Sequence, residues 1–140
     1  LNGVASALRH IEEGGLTNVR LHADDARDVM TALPDASLDR VMILFPDPWH
    51  KARHNKRRLV QDAFAAEIVR LLKPGGGLRF VTDWKDYADW ALERLERTPG
   101  LVRIGDIADW HAAPEDHVIT RYEEKKLGDT APIFLDFVRV

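Results

Sequence analysis

Leu38-Asp39-Arg40-Val41-Met42-Ile43-Leu44-Phe45 runs directly into Pro46-Asp47-Pro48-Trp49-His50-Lys51. The near-continuous apolar run centred on Val41-Met42-Ile43-Leu44 is of the kind buried on both faces in a parallel sheet. Its carboxyl end delivers Asp47 between two prolines, which fix their own φ and push the residues before them toward extended geometry. A carboxylate is therefore presented on a stiff loop at a strand end, where open α/β sheets bind their ligands.

Apolar runs and helical patterns alternate outward from that strand. Val4 to Ile11 reads as the end of a helix stopped by Gly14-Gly15, Val19 to Ala23 as a short strand ending at Asp24-Asp25, and Ala26 to Leu33 as a short helix ended by Pro34. Beyond the loop, Val60, Phe64, Ile68, Leu71 and Leu72 share one face of a helix expected from Arg57 to Lys73, which Pro74-Gly75-Gly76 stops. Leu78 to Thr82 is the next strand. Tyr87, Ala88, Ala91, Leu92 and Leu95 mark an amphipathic helix that ends near Pro99-Gly100. Leu101 to Ile104 and Ile133 to Val140 read as last strands, with an irregular polar stretch between them. This alternation predicts an α/β, mostly parallel sheet within one domain over residues 1–140.

The composition is that of an ordinary globular protein, 45% hydrophobic and 31% charged, and the formal charge of -3 requires any nucleic-acid partner to be met by a local patch. Lys51, Arg53, Lys56, Arg57 and Arg58 supply one, and Trp49 offers an aromatic face on which a base can stack. Alternatively, Arg57 and Arg58 support the helix that follows. The absence of cysteine excludes disulfides and thiolate metal sites and fits a reducing cytosol. No apolar run approaches membrane-spanning length. His50 and His54 have a four-residue spacing but sit among cations that repel a metal ion, so no metal site is expected.

Acids recur at the expected strand ends: Asp24 and Asp25 after the first, Asp47 after the second and Asp83 after the third. Such residues are also favoured helix caps. One of Asp24 and Asp25 is expected to cap, leaving the other free, and Asp83 reads equally well as a cap or as part of a site.

Leu71-Leu72-Lys73-Pro74-Gly75-Gly76-Gly77-Leu78 resembles a segment of S-adenosylmethionine-dependent methyltransferases with a Rossmann-like sheet. The run from Phe45 to Arg58 is more specific, and is similar to the signature of the bacterial tRNA (guanine-N7)-methyltransferases; Thr82-Asp83-Trp84 and Thr120-Arg121-Tyr122-Glu123 match later motifs of that family in order. The resemblance covers the whole chain. It implies S-adenosylmethionine as cofactor, tRNA as partner, N7 of a variable-loop guanine (nucleotide forty-six) as methyl acceptor, and a cytoplasmic monomer or homodimer. Carried onto this sequence, it implies Asp47 as the catalytic residue and a cofactor contact, Asp25 as a further cofactor contact, and Lys51, Asp83, Thr120, Arg121, Tyr122 and Glu123 as substrate-binding residues.

Members of the family carry additional N-terminal sequence with two strands, a glycine-rich cofactor turn and a ribose-binding acid. The start of this chain resembles the stretch that follows them. The resemblance thus implies the C-terminal part of a methyltransferase domain, lacking its first two strands, with a weak cofactor half-site and an exposed apolar sheet edge. Two other classes stay open: a methyltransferase acting on an amino group of a base, from which Pro48-Trp49 departs, and a non-catalytic RNA-binding module.

Overall fold

Parallel pairing between β1 (Leu38–Leu44) and β2 (Leu72–Thr82) sets the architecture, with Val41 opposite Leu78, Ile43 opposite Phe80 and Leu44 opposite Val81. The computed structural model describes residues 2–140. Two units form, one ending at Leu33 and the other spanning Pro34–Val140.

The first unit holds α1 (Asn2–Glu13) and α2 (Ala26–Ala32). The Gly14 amide donates to the His10 carbonyl as the chain leaves α1, and Asp25 caps α2 by accepting from the Arg27 amide. The strand expected over Val19 to Ala23 is not formed; the segment is irregular, with Val19 and Leu21 exposed. A strand exists only by pairing, and among the described residues none hydrogen-bonds to it. No residue of α1 or α2 is buried.

The second unit continues with α3 (Asp62–Leu71), α4 (Lys85–Glu96), β3 (Leu101–Ile104), the short α5 (Arg121–Glu124) and β4 (Ile133–Arg139), and a 3-10 turn at Ala52–Arg57 precedes α3. Strand order is β1-β2-β4-β3, with β4 antiparallel to both of its neighbours. The sheet is therefore mixed rather than mostly parallel, because the chain returns through residues 105–132 and inserts its last strand between β2 and β3 in the reverse direction. The α/β class itself holds.

The helix expected from Arg57 begins only at Asp62 because the backbone of Val60 is engaged elsewhere. Its amide donates to the Tyr87 hydroxyl (3.2 Å) and its carbonyl accepts from the Trp90 indole (2.8 Å). The expected apolar face survives, since Val60, Phe64, Ile68, Leu71 and Leu72 are all buried. Pro74-Gly75-Gly76 lies within β2 as an irregularity opposite Leu38 and Arg40. A side chain at Gly76 would press on the Lys73 and Asp39 carbonyls, so only glycine lets the two strands approach there.

Residues alternate between the two faces of the sheet. Ile43, Leu78, Phe80, Leu135 and Phe137 line the face on which α3 and α4 pack, where the Phe80 and Tyr87 rings meet at 5.1 Å. The opposite face carries Arg79, 5% exposed, whose guanidinium donates to Asp136 of β4 and to Asp116 of the 105–132 segment (each 2.8 Å). Arg40 of β1 donates to the same Asp116 at 2.7 Å. β1 is an edge strand, and Met42 and Leu44 are 45% and 41% exposed. Burial of this strand on both faces is thus not realised: Ile43 is covered on the helix side, while Met42 and Leu44 lie on the opposite face and stay exposed.

The two arginines hold the Asp116 carboxyl at about 2 against an ordinary 3.8, chiefly through the hydrogen bond from Arg79. A depressed carboxylate stabilises the fold fully above the ordinary value and ceases to do so as pH falls through the folded one. Acid titration followed by circular dichroism is expected to show Asp116→Asn less sensitive than the parent between pH 4 and 2. The variant is expected to be the less stable of the two at pH 7.

Candidate functional site

The loop after β1 opens and closes on strained backbone, with φ of 51° at Phe45 and 41° at Trp49. Left-handed non-glycine residues are destabilising by about 1–3 kcal/mol each and persist where their surroundings over-determine them. Here the surroundings are explicit. The Phe45 amide extends the β1–β2 ladder by donating to the Val81 carbonyl (2.8 Å), and its ring meets Tyr122 at 5.1 Å. The Asn55 amide nitrogen, turned toward the loop, donates to the Trp49 and Lys51 carbonyls.

Arg58 fixes the loop from beneath. It is 2% exposed, donates to the Pro48 carbonyl (2.8 Å) and to Asp86 (2.5 Å), and stacks on Tyr87 and Trp90 at 4.9 and 5.1 Å. It is unavailable to a phosphate, which corrects the reading that counted it in the basic patch. Arg57 lies 5.1 Å over the Trp49 ring, with His54 at the ring edge, so part of the expected stacking surface is already covered. His50 instead stacks flat on Trp84 at 5.1 Å. Among the described residues, the cationic ends of Lys51, Arg53 and Lys56 and the Asp47 carboxylate have no partner. Asp47, Lys51, His50 and His54 line a cavity of about 410 Å³.

Because β1 and β2 are parallel neighbours, Asp83 follows the strand end adjacent to the one that Asp47 follows. Asp83 does not cap α4. Asp83 is 4% exposed, with Oδ2 accepting from the Gly128 amide (3.0 Å) and Oδ1 buried beside Tyr122, while its carbonyl accepts from the Thr130 amide. A side chain at Gly128 would collide with the Asp83 backbone, so glycine there permits the close approach. The cap on α4 comes from across the fold, as Asp129 accepts from the Lys85 amide at 3.0 Å.

The four residues 120–123 divide in role. Thr120 caps α5 by accepting from the Glu123 amide (3.2 Å), and Arg121 points out without a partner among the described residues. Tyr122 sits between Phe45 and Asp83, its phenol pushed up in pKa mainly by burial and then by the Asp83 charge. Glu123 pairs with the His117 ring at 2.8 Å. Asp83, Glu123, Gly128 and Thr130 line a second cavity, of about 670 Å³.

Asp25 belongs to the first unit, where its carboxylate is occupied. It accepts from the Arg27 amide and guanidinium, the closest contact being 2.5 Å, and Arg27 holds its pKa at about 2. Sequence reasoning missed Asp116, His117, Gly128 and Asp129. Gly128-Asp129 is a turn signal that could have drawn attention, but nothing in a single sequence links it to Asp83.

A family model described as "Putative methyltransferase" matches residues 1–135. A tRNA (guanine-N(7)-)-methyltransferase of Caulobacter sp. (strain K31) is 65% identical over 140 residues, and this chain spans 62% of that protein's length. Among solved structures, an rRNA methylase from Streptococcus thermophilus superimposes with a TM-score of 0.60 at 12% identity, over 99% of this chain and 68% of that one. A Streptococcus mutans protein described as "a putative methyltransferase", in complex with SAH, does so with a TM-score of 0.59 at 12% identity, over 99% of this chain and 71% of the other. At such identities the structures show the shared fold.

Replacing Arg58 by Met removes a charged hydrogen bond to a loop carbonyl and two ring contacts while keeping much of the volume. Urea unfolding is expected to show a loss of about 3 kcal/mol. An unchanged midpoint would remove Arg58 from its role beneath the loop.

Proposed function

This chain belongs to the methyltransferase family whose model it matches, and from that premise we propose that it is the C-terminal part of a single S-adenosylmethionine-dependent domain that methylates guanine N7 in tRNA. The observation that carries the reading is the pair of acids, Asp83 and Glu123, lining one cavity of about 670 Å³. Guanine presents two adjacent donors, N1–H and the 2-amino group, on its Watson–Crick edge. Adenine places an acceptor at N1, and cytosine one at N3. Carboxylates therefore favour guanine, and a base held by that edge leaves N7 uncovered on its far side.

N7 carries a lone pair and no proton, so attack on an electrophilic methyl needs alignment more than a base. When bound, S-adenosylmethionine supplies that methyl on a sulfonium. Asp47 fits such a group, being an unpartnered carboxylate on a rigid strand end with cationic and methyl-bearing chemistry to face. Asp25 would meet the cofactor only by releasing Arg27. Methylation leaves the purine positively charged, and Asp47, fixed before the reaction begins, stabilises that charge as it develops.

Lys51 lines the Asp47 cavity, and Arg53, Lys56 and Arg57 follow in the 3-10 turn, a run of cations of the kind that meets a phosphate backbone. No helix among the described residues is long and apolar enough to cross a membrane. Action on tRNA implies a cytoplasmic protein, which we read as a monomer or homodimer.

In the intact protein, Asp47→Asn is expected to lower turnover roughly a hundredfold, the scale of one electrostatic contact in a transition state, with tRNA affinity nearly unchanged. Methyl transfer to tRNA under saturating substrate, with identification of the modified atom, tests this; near-normal turnover would exclude Asp47 from the chemistry.

Replacing Lys56 and Arg57 by Ala is expected to weaken tRNA binding and flatten its salt dependence by roughly one unit for each phosphate no longer neutralised. Filter binding across a salt series provides the measurement. An unchanged slope would assign both side chains to the fold.

A further inference from the structure

Glu123 stands on α5, a helix of one turn that cannot hold itself in place. Its carboxylate contact among the described residues is His117, whose Nε2 lies 2.8 Å from Oε2. Both side chains are largely buried, at 5% and 13% exposure. The His117 ring is itself fixed, packing edge-on against Phe134 of β4 at 4.7 Å. One residue earlier, Asp116 is fastened to the sheet by Arg79 and Arg40. The neighbouring Val118 and Ile119 are open to solvent, so the chain is held at residues 116–117 and then released until Thr120 caps α5.

We propose that His117 is a positioning residue for the base: it takes one oxygen of Glu123 and so aims the other into the cavity shared with Asp83. The imidazole does not touch the substrate. It fixes the carboxylate rotamer, which in a glutamate has three rotatable bonds and would otherwise sample several directions at a considerable entropic disadvantage. Arg79, Asp116, His117 and Glu123 then form a continuous mechanical line from the centre of the sheet to the acceptor pocket. The inference rests on the reading of Glu123 as a contact to guanine.

His117→Phe keeps the packing on Phe134 and removes the donor, whereas His117→Gln keeps a donor at a similar reach. In the intact protein, His117→Phe is expected to lower kcat for tRNA methylation roughly ten- to a hundredfold, as misplacement of a reacting group does, with KM for tRNA within about twofold because phosphate contacts govern binding. His117→Gln is expected to restore most of the rate, and adding His117→Phe to Glu123→Gln to cause no further loss.

Limited trypsin digestion supplies a readout apart from activity, since Arg121, Lys125 and Lys126 are exposed on and beside α5. Cleavage there is expected to accelerate in His117→Phe and return to the parent rate in His117→Gln. Equal cleavage and equal kcat in His117→Phe, a change confined to KM, or additive losses with Glu123→Gln would each overturn the proposal. Full activity of Glu123→Gln would instead remove the guanine reading beneath it, and the proposal with it.

Discussion

The Arg79 guanidinium, buried on the sheet face away from the helices, gathers carboxylates from β4 and from the segment between β3 and β4. A buried cation of this kind is tolerable only when its donors are satisfied, and leaving either partner unpaired is strongly destabilising. The consequence is topological as well as energetic. The Asp136 contact ties the two central strands of the sheet together, and the Asp116 contact brings a long irregular segment down onto them. The acids of the proposed acceptor pocket come from both sides of that union, Asp83 from the end of β2 and Glu123 from the segment.

Much of the second unit could be read directly because its signals are local. The apolar run at Val41 to Leu44, the helical face from Val60 to Leu72 and the cluster Tyr87 to Leu95 all form elements at or near their expected positions. The failures arise where an element depends on partners distant in sequence. Val19 to Ala23 has strand composition and no strand beside it. β1 has the composition of a doubly buried strand, and its exposed Met42 and Leu44 record that the face away from the helices is left open there. The reversed direction of β4 was likewise invisible, because strand propensity carries no sign.

The candidate site divides in the same way. The position of Asp47 at the carboxyl end of β1 was legible from the apolar run before it and the prolines around it. Arg58 was misread because a cation among cations looks solvated, whereas its burial between Tyr87 and Trp90 is determined by rings about thirty residues away. Asp83 left two readings open, and the fold selected neither in its simple form: it caps no helix, yet one of its oxygens is committed to Gly128. Residues 120–123 came from family resemblance alone, and the structure gives three of them distinct physical duties.

The segment from residue 105 to 132 is pinned at several points, at Trp110 by the Phe134 amide, at Asp116 by two arginines, at Gly128 and Thr130 by the Asp83 carboxylate and carbonyl, and at Asp129 by the Lys85 amide. The freedom of a loop falls as its closed length shortens. Each pin divides a long excursion into smaller ones, so the configurational entropy of the pocket wall is surrendered when the chain folds rather than when a ligand arrives. Affinity gained in this way is affinity by preorganisation. It shifts the demand onto the ligand, because a wall already set in place selects by shape and charge and has little latitude to remodel itself around a different occupant.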